Sequence, residues 1–319
     1  MATSVAARQQ KIGAPLKVSS DTVILDGGST LRVMTDFSSG ACWVNGQLVD
    51  RSTPTVSALD HAIVVGDGVF ETLQVIDGTP FALTRHLARL RFSSDGLGLL
   101  PPDDGQVRDA IAAVLDADPV AGLLRITWSS GAGPLGSSRG DGPGTLIVAT
   151  QVANRWEAAT RVHLCPWSRN EHGALVGLKT TSYAENVLAL DAAHQRQCSE
   201  ALFLNTAGLV CEGTGTNLFV VVDDQLVTPP LSSGCLAGIT RSLILEVTDA
   251  QERDLHPDEL ASASEAFLTS STRDVQAISH IDDLVLPFAP GSQTQAAAAA
   301  FAEVLANRLI PRQKQRPRY

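Results

Sequence analysis

From residue 41 onward the chain is built of short apolar runs separated by Gly, Asn and Asp pairs. Cys42, Trp43 and Val44, then Asn45 and Gly46, then Gln47, Leu48 and Val49 predict a β-hairpin, because Asn-Gly supplies the positive φ that a tight turn demands. A second hairpin is expected over residues 70–76, turning at Asp77, Gly78 and Thr79 and returning through residues 80–83. Leu87, Leu90 and Leu97 fall on one helical face behind Thr84, the expected N-cap. Val107, Ile111, Ala112, Val114 and Leu115 follow Asp103 or Asp104 in the same way. Two apolar strands, 123–128 and 145–150, flank a loop rich in Gly, Ser and Pro. A loop as long as 129–144 points to a functional or mobile segment.

The pattern changes over residues 152–157. Beyond it come a strand at 162–165, a helix at 184–197, hairpins at 201–211 and 217–228, helices at 240–248 and 257–263, a strand at 266–270 and an alanine-rich helix at 294–309. Hairpins and helices segregate instead of alternating as βαβ, so the fold class is α+β. We expect an N-terminal extension (1–40), a small α/β domain (41–152), a linker (153–157), a larger domain (158–310) and a disordered basic tail (311–319).

The formal net charge of −10 argues against nucleic acid as a partner. No apolar run is long enough for a membrane span and the first residues do not form a secretory signal, so the cytoplasm is expected. Five cysteines, odd in number and without CxxC spacing, are read as reduced thiols with neither a disulfide framework nor a metal site.

Lysine usage changes the picture. The chain holds four lysines against twenty arginines, and Lys11, Lys17 and Lys314 lie in terminal segments. Lys179 stands alone between them, ending the apolar run Ala174, Leu175, Val176 and Leu178 and opening a polar turn. A partly desolvated amine near other cations can form a Schiff base with an aldehyde cofactor. Chance survival of one lysine where arginine has replaced the rest is equally open on the count alone.

Three segments carry anion-site chemistry. Gly213-Thr214-Gly215-Thr216-Asn217 offers backbone N–H groups and hydroxyls, Ala237-Gly238-Ile239-Thr240 puts a glycine at a helix entrance, and Ser270-Ser271-Thr272 clusters hydroxyls at a strand end. Taken singly, each is also an ordinary turn or cap. Glu212, between an apolar strand and a glycine turn, needs a partner that a pyridinium N–H or a salt bridge would supply equally well.

Five ordered motifs now bear on the choice: Gly66-Asp67-Gly68-Val69-Phe70-Glu71-Thr72, His86-Leu87-Ala88-Arg89-Leu90, Leu178-Lys179, Glu212-Gly213-Thr214-Gly215-Thr216-Asn217-Leu218-Phe219, and Gly238-Ile239-Thr240-Arg241. Over residues 41–290 the chain resembles the fold-type IV pyridoxal-phosphate enzymes, which include branched-chain and D-amino-acid aminotransferases and 4-amino-4-deoxychorismate lyase. The resemblance implies two domains with pyridoxal phosphate between them, a smaller N-terminal α/β domain and a larger β-barrel-like one, in a homodimer. It implies that Lys179 carries the cofactor and shuttles protons, that Glu212 pairs with the pyridine nitrogen and that Arg89 holds the phosphate. Thr214, Gly215, Thr216, Ile239, Thr240, Ser271 and Thr272 complete the cofactor site in this reading, with Tyr183 lining it at a spacing similar to some of the lyases.

The substrate side is assigned to Phe70, Thr72, Arg125 and Arg139. Phe70-Glu71-Thr72 departs from the Phe-Glu-Gly usual in the branched-chain enzymes, and Arg125 matches an arginine that binds substrate carboxylate there. Two guanidinium groups suit aminodeoxychorismate and equally suit 2-oxoglutarate. The expected activity is 4-amino-4-deoxychorismate lyase serving folate synthesis, with an aminotransferase of D-amino-acid or branched-chain type, moving an amino group from an amino acid to a keto acid (2-oxo acid), as the alternative.

Overall fold

A computed structural model describes residues 39–53, 55–153 and 155–307. Expectations placed on residues 1–38 and 308–319 lie outside it.

The first part of the chain forms β1 (Cys42–Val44), β2 (Gln47–Leu48), α1 (His61–Val64), β3 (Gly68–Ile76), β4 (Thr79–Pro80), α2 (Leu83–Gly96), α3 (Asp104–Ala117), β5 (Leu123–Ser129) and β6 (Thr145–Gln151). The strands join in the order β2-β1-β6-β5-β3-β4. Asn45 and Gly46 take positive φ between β1 and β2, as the hairpin requires. Period-two alternation divides β3 into two faces. Val69, Leu73 and Val75 pack with Leu87, Leu90, Val107 and Ile111 of the helices, while Phe70 and Thr72 line a cavity on the other face. β5 divides likewise, with Leu124 and Ile126 in the core and Arg125 on the cavity side.

Helix α2 starts one residue before Thr84, the expected cap. Its N-cap is Ala82, left-handed at φ 53° and without a side-chain cap bond. Asp103 does cap α3, its carboxylate accepting the Gln106 N–H.

The chain leaves the first sheet at Gln151 and enters the second at Ala159. The second part contains β7 (Ala159–Arg169), α4 (Ala184–His194), β8 (Glu200–Asn205), β9 (Val210–Gly213), β10 (Asn217–Val222), β11 (Gln225–Thr228), α5 (Ile239–Val247), β12 (Gln251–Glu252), α6 (Pro257–Ser262), β13 (Glu265–Ser270), β14 (Asp274–Ile281), β15 (Leu284–Val285) and α7 (Ser292–Asn307). Its order is β12-β11-β10-β13-β14-β7-β8-β9, with β15 on β14, so the architecture is mixed α+β with two sheets.

Buried on both faces, β10 reads as a continuous apolar run. Leu218, Val220 and Val222 enter one core with Leu260 of α6. Phe219 and Val221 enter another with Leu243 of α5 and Phe301 of α7, and Phe219 stacks on Phe267 at 4.9 Å between ring centroids. This doubly covered strand is the rigid base from which Asn217 and its neighbours face the cavity.

Candidate active site

Lys179 lies on an irregular segment laid antiparallel beside the start of β3. Its carbonyl accepts the Phe70 N–H at 2.9 Å, the Thr181 N–H donates to the Gly68 carbonyl at 2.8 Å, and the Lys179 N–H donates to the Ser93 hydroxyl of α2 at 3.1 Å. The hydroxyls of Thr181 and Ser182 both donate to the Gly66 carbonyl. A Cβ at Gly68 would come within 2.9 Å of the Trp128 carbonyl oxygen, so this close approach needs glycine.

The Lys179 Nζ stands 4.3 Å from the centroid of the Phe70 ring and 5.8 Å from that of Tyr183. Burial lowers its pKa to about 8, assisted by the Arg89 and Arg125 cations and opposed by Glu71 and Glu212. The amine is thereby closer to its nucleophilic form at neutral pH than an exposed lysine.

Glu212, at the end of β9, accepts the Leu236 N–H at 2.9 Å and the Asn217 amide at 3.3 Å, both on Oε2. Burial raises its pKa, opposed first by Arg169, whose Nη2 is 4.0 Å from Oε1. Tyr183 is the N-cap residue of α4 and meets Phe70 edge-on at 5.3 Å. Burial, then Glu212, pushes its hydroxyl up to about 12.

At the opposite end of the cavity Arg89 projects from α2. Its Nε and Nη2 donate to Glu71 at 2.7 Å each, and Nη1 donates to the Ala237 carbonyl at 2.8 Å. Glu71 also takes His86 Nδ1 at 2.7 Å. Helix α5 opens beside Arg89 behind Gly238 with no side-chain cap bond, so Ile239 and Thr240 present first-turn N–H groups where an anion is favoured. Ser271 and Thr272 close this end from the turn between β13 and β14.

Thr214 and Thr216 line the cavity, but their hydroxyls do not serve as the anion cradle expected of them. Both donate to the buried Glu200 carboxylate, which also takes the Thr214 N–H. Of the two glycines in that turn, Gly215 has open space beside it and Gly213 does not. The whole cavity has a volume of about 210 Å³.

On the substrate side Phe70, Thr72 and Arg125 line the wall, the Arg125 guanidinium resting 3.7 Å over the Phe70 ring. Arg139 is not among the lining residues. It grips Asp67 with Nε and Nη2 at 2.8 and 2.7 Å and donates to the carbonyls of Leu97 and Gly98. That contact, with further help from Ser130 and His61, lowers the Asp67 pKa to about 2 against the opposing effect of burial. The loop at 129–144 is therefore fastened to the Gly66-Asp67-Gly68 turn.

Sequence reasoning assigned no role to Glu71, His86, Ser93, Glu200 or Arg169. Glu71 alone carried a signal, since period two places this charge on the core face of β3 with Val69 and Leu73.

The residues present fit pyridoxal phosphate. Lys179 offers an amine to the aldehyde, Glu212 a carboxylate to the pyridine N–H, and Arg89 with the start of α5 a cationic, N–H-rich cradle to the phosphate. The comparisons agree with that chemistry. The chain is 30% identical over 255 residues to a "Putative branched-chain-amino-acid aminotransferase" of Methanocaldococcus jannaschii, covering 76% of this chain and 88% of that one. It is 28% identical over 294 residues to a "Bifunctional aminodeoxychorismate lyase / D-amino acid transaminase" of Mycobacterium tuberculosis, covering 82% and 96%. The crystal structure of a branched-chain aminotransferase from Thermoproteus uzoniensis superimposes with a TM-score of 0.77 at 26% identity, covering 84% and 95%. With residues 68–281 matching the model of amino-transferase class IV, the chain belongs to that family of pyridoxal-phosphate enzymes.

Proposed function

We propose that the chain is a 4-amino-4-deoxychorismate lyase, releasing pyruvate and 4-aminobenzoate, with an aminotransferase of D-amino-acid or branched-chain type as the second reading. The observation that carries the proposal is the make-up of the substrate wall. Strands β3 and β5 present a ring, a hydroxyl and a guanidinium in Phe70, Thr72 and Arg125, whereas the aliphatic lining is confined to Leu236 and Ile239 beside the cofactor residues. Such a wall suits a polar ring bearing carboxylates better than a branched aliphatic side chain. The second reading is favoured by the position of Arg139, which leaves one carboxylate anchor where two were expected. The Mycobacterium tuberculosis relative is named for both activities.

When bound, pyridoxal phosphate supplies an electron sink for bonds at the substrate Cα. In the proposed mechanism Lys179 Nζ takes the Cα proton and returns one to carbon as pyruvate leaves. In the transaminase reading the same Nζ delivers the proton to the cofactor side instead. Arg125 would hold the substrate carboxylate, Glu212 would accept the pyridine N–H, and Arg89 with Ile239, Thr240, Ser271 and Thr272 would hold the phosphate. Tyr183 lines the cavity with Lys179 and Glu212 and braces the Phe70 ring edge-on.

The same reading places the enzyme in folate synthesis, in the cytoplasm, as a homodimer. Exposed Trp167, Val187 and Leu188 support a protein contact. Among the described residues no helix is long and apolar enough to cross a membrane.

The test mixes the holoenzyme with D-alanine, D-glutamate, L-leucine and L-glutamate in turn, without oxo acid, and follows conversion of the cofactor band to the pyridoxamine band. Separately, aminodeoxychorismate is supplied and 4-aminobenzoate is measured. Formation of 4-aminobenzoate supports the lyase. Conversion by an amino acid without 4-aminobenzoate replaces it with the transaminase and names the donor.

A further inference from the structure

On the far side of Lys179 and Glu212 lies a second cavity of about 180 Å³, sharing both residues and Tyr183 with the first. Arg169, the last residue of β7, forms part of its wall. The guanidinium stacks 4.2 Å over the Phe203 ring, and Nη1 donates to Glu185 at 3.0 Å and to the Asn186 side-chain oxygen at 3.2 Å. Asn186 in turn donates to the Thr214 carbonyl beside Glu212.

Two features set Arg169 apart from a surface staple. Its Nε and Nη2 are buried and make no hydrogen bond among the described residues. Glu185, its direct partner, is half exposed, so the more enclosed anion within reach is Glu212, 13% exposed and 4.0 Å from Nη2. A desolvated cation needs such an anion, and a desolvated carboxylate needs such a cation. Glu212 Oε2 is already taken by Leu236 and Asn217, while Oε1, the oxygen facing Arg169, accepts no hydrogen bond among the described residues.

We propose that Arg169 is a positioning residue that holds Glu212 as a carboxylate, so that Glu212 accepts the pyridine N–H of the cofactor as an ion and not as a neutral acid. This assignment rests on the pyridoxal-phosphate site described above. Among the groups that influence the Glu212 carboxyl, Arg169 is the largest one opposing burial, ahead of the Leu236 N–H and Lys179.

The assignment is tested by titrating apoprotein with pyridoxal phosphate and with the analogue whose pyridine nitrogen is replaced by carbon, following absorbance and fluorescence. Wild type should prefer the natural cofactor. Arg169→Met should lose about tenfold of that preference, the effect of removing a nearby opposite charge that favours the ionised carboxyl, while its affinity for the analogue stays unchanged. In the Glu212→Gln background Arg169→Met should remove no further preference, because the two residues act as one unit. Arg169→Lys keeps a charge with shorter reach and should fall between wild type and Arg169→Met; it carries the test if the methionine variant does not fold.

Equal weakening toward both ligands, or a loss of preference that persists in the Glu212→Gln background, would make Arg169 a mere staple between β7 and α4. A wild-type protein that binds neither ligand would overturn the cofactor site itself, and this assignment with it.

Discussion

Glu71 and Arg89 form a buried two-bond ion pair, 2.7 Å at each contact. The pair crosses from β3 to α2 and, through Arg89 Nη1, on to the Ala237 carbonyl that precedes α5. It holds the guanidinium in one orientation at the anion end of the cavity, so the cation is preorganised before any phosphate arrives.

Glu71→Gln is therefore expected to lower the stability of the apoprotein by about 3–5 kcal/mol, because Arg89 is left as a buried, unbalanced cation. Burial opposes ionisation of Glu71, but Arg89 and His86 prevail and bring its pKa down from 4.5 to about 2. The folded state thus holds fewer protons than the unfolded one between those values, and the stabilisation is full above pH 4.5 and lost as pH falls toward 2. Denaturant unfolding of both proteins across this range should show the difference shrinking with acidity. Added inorganic phosphate should recover part of the loss in the variant, because it supplies a replacement anion to Arg89.

Lys179→Met should abolish turnover and the borohydride-trapped cofactor adduct, yet yield a more stable apoprotein at pH 7. The wild-type amine has a pKa of about 8 when folded against 10.5 when free. Below pH 8 the charged amine bears its full desolvation cost, on the order of 3 kcal/mol. Between about pH 8 and 10.5 the unfolded state holds the extra proton, so wild-type stability rises through that window and the advantage of the variant fades. A stability profile without that rise in wild type would contradict the burial and charge environment of Lys179.

The parts of this site that were readable from sequence are those written in local periodicity. Alternation in β3 and β5 places Phe70, Thr72 and Arg125 on one face, and the isolation of Lys179 marks it without any structure. Partners were not readable, because pairing across elements leaves no local pattern. Glu200 takes up the hydroxyls of Thr214 and Thr216 through a strand junction, and Arg169 reaches Glu212 from a different strand. Strand β14 was missed because Gln276, Ser279 and His280 break its apolar run. Gln276 and Ser279 donate to the distant carbonyls of Glu157 and Thr160, and the Gln276 side-chain oxygen also accepts from Arg273. The start of α2 was misplaced because Ala82 caps it by conformation, with no hydroxyl to signal it.

Arg125 and Arg139 should separate cleanly under mutation. Arg125→Gln removes the cation from the substrate wall while leaving the cofactor contacts untouched, and a lost charged hydrogen bond of about 1.5–3 kcal/mol corresponds to a KM increase of roughly 10- to 150-fold. Cofactor affinity should be unchanged. Arg139→Gln should leave KM nearly unchanged but free the loop at 129–144, which limited proteolysis would detect as new cleavage there. If Arg139→Gln raised KM as much as Arg125→Gln, the second carboxylate anchor would be restored and the lyase reading strengthened.

Gly238→Ala probes the junction of the two ends of the cavity. A Cβ at this position would lie 2.0 Å from the Asn217 side-chain oxygen. Asn217 donates to both Glu212 and the Leu236 carbonyl, so relieving the clash moves the residue that orients the carboxylate as well as the start of α5, where Ile239 and Thr240 offer their N–H groups. Both the pyridine and the phosphate contacts should suffer from one methyl group, and cofactor affinity should fall by at least tenfold, a loss near 1.4 kcal/mol. Gly215→Ala lines the same cavity but meets nothing within 4 Å, so its protein should fold and melt as wild type does. Parallel titration of both apoproteins with pyridoxal phosphate, alongside their melting curves, distinguishes a local clash at Gly238 from a general intolerance of side chains at cavity glycines.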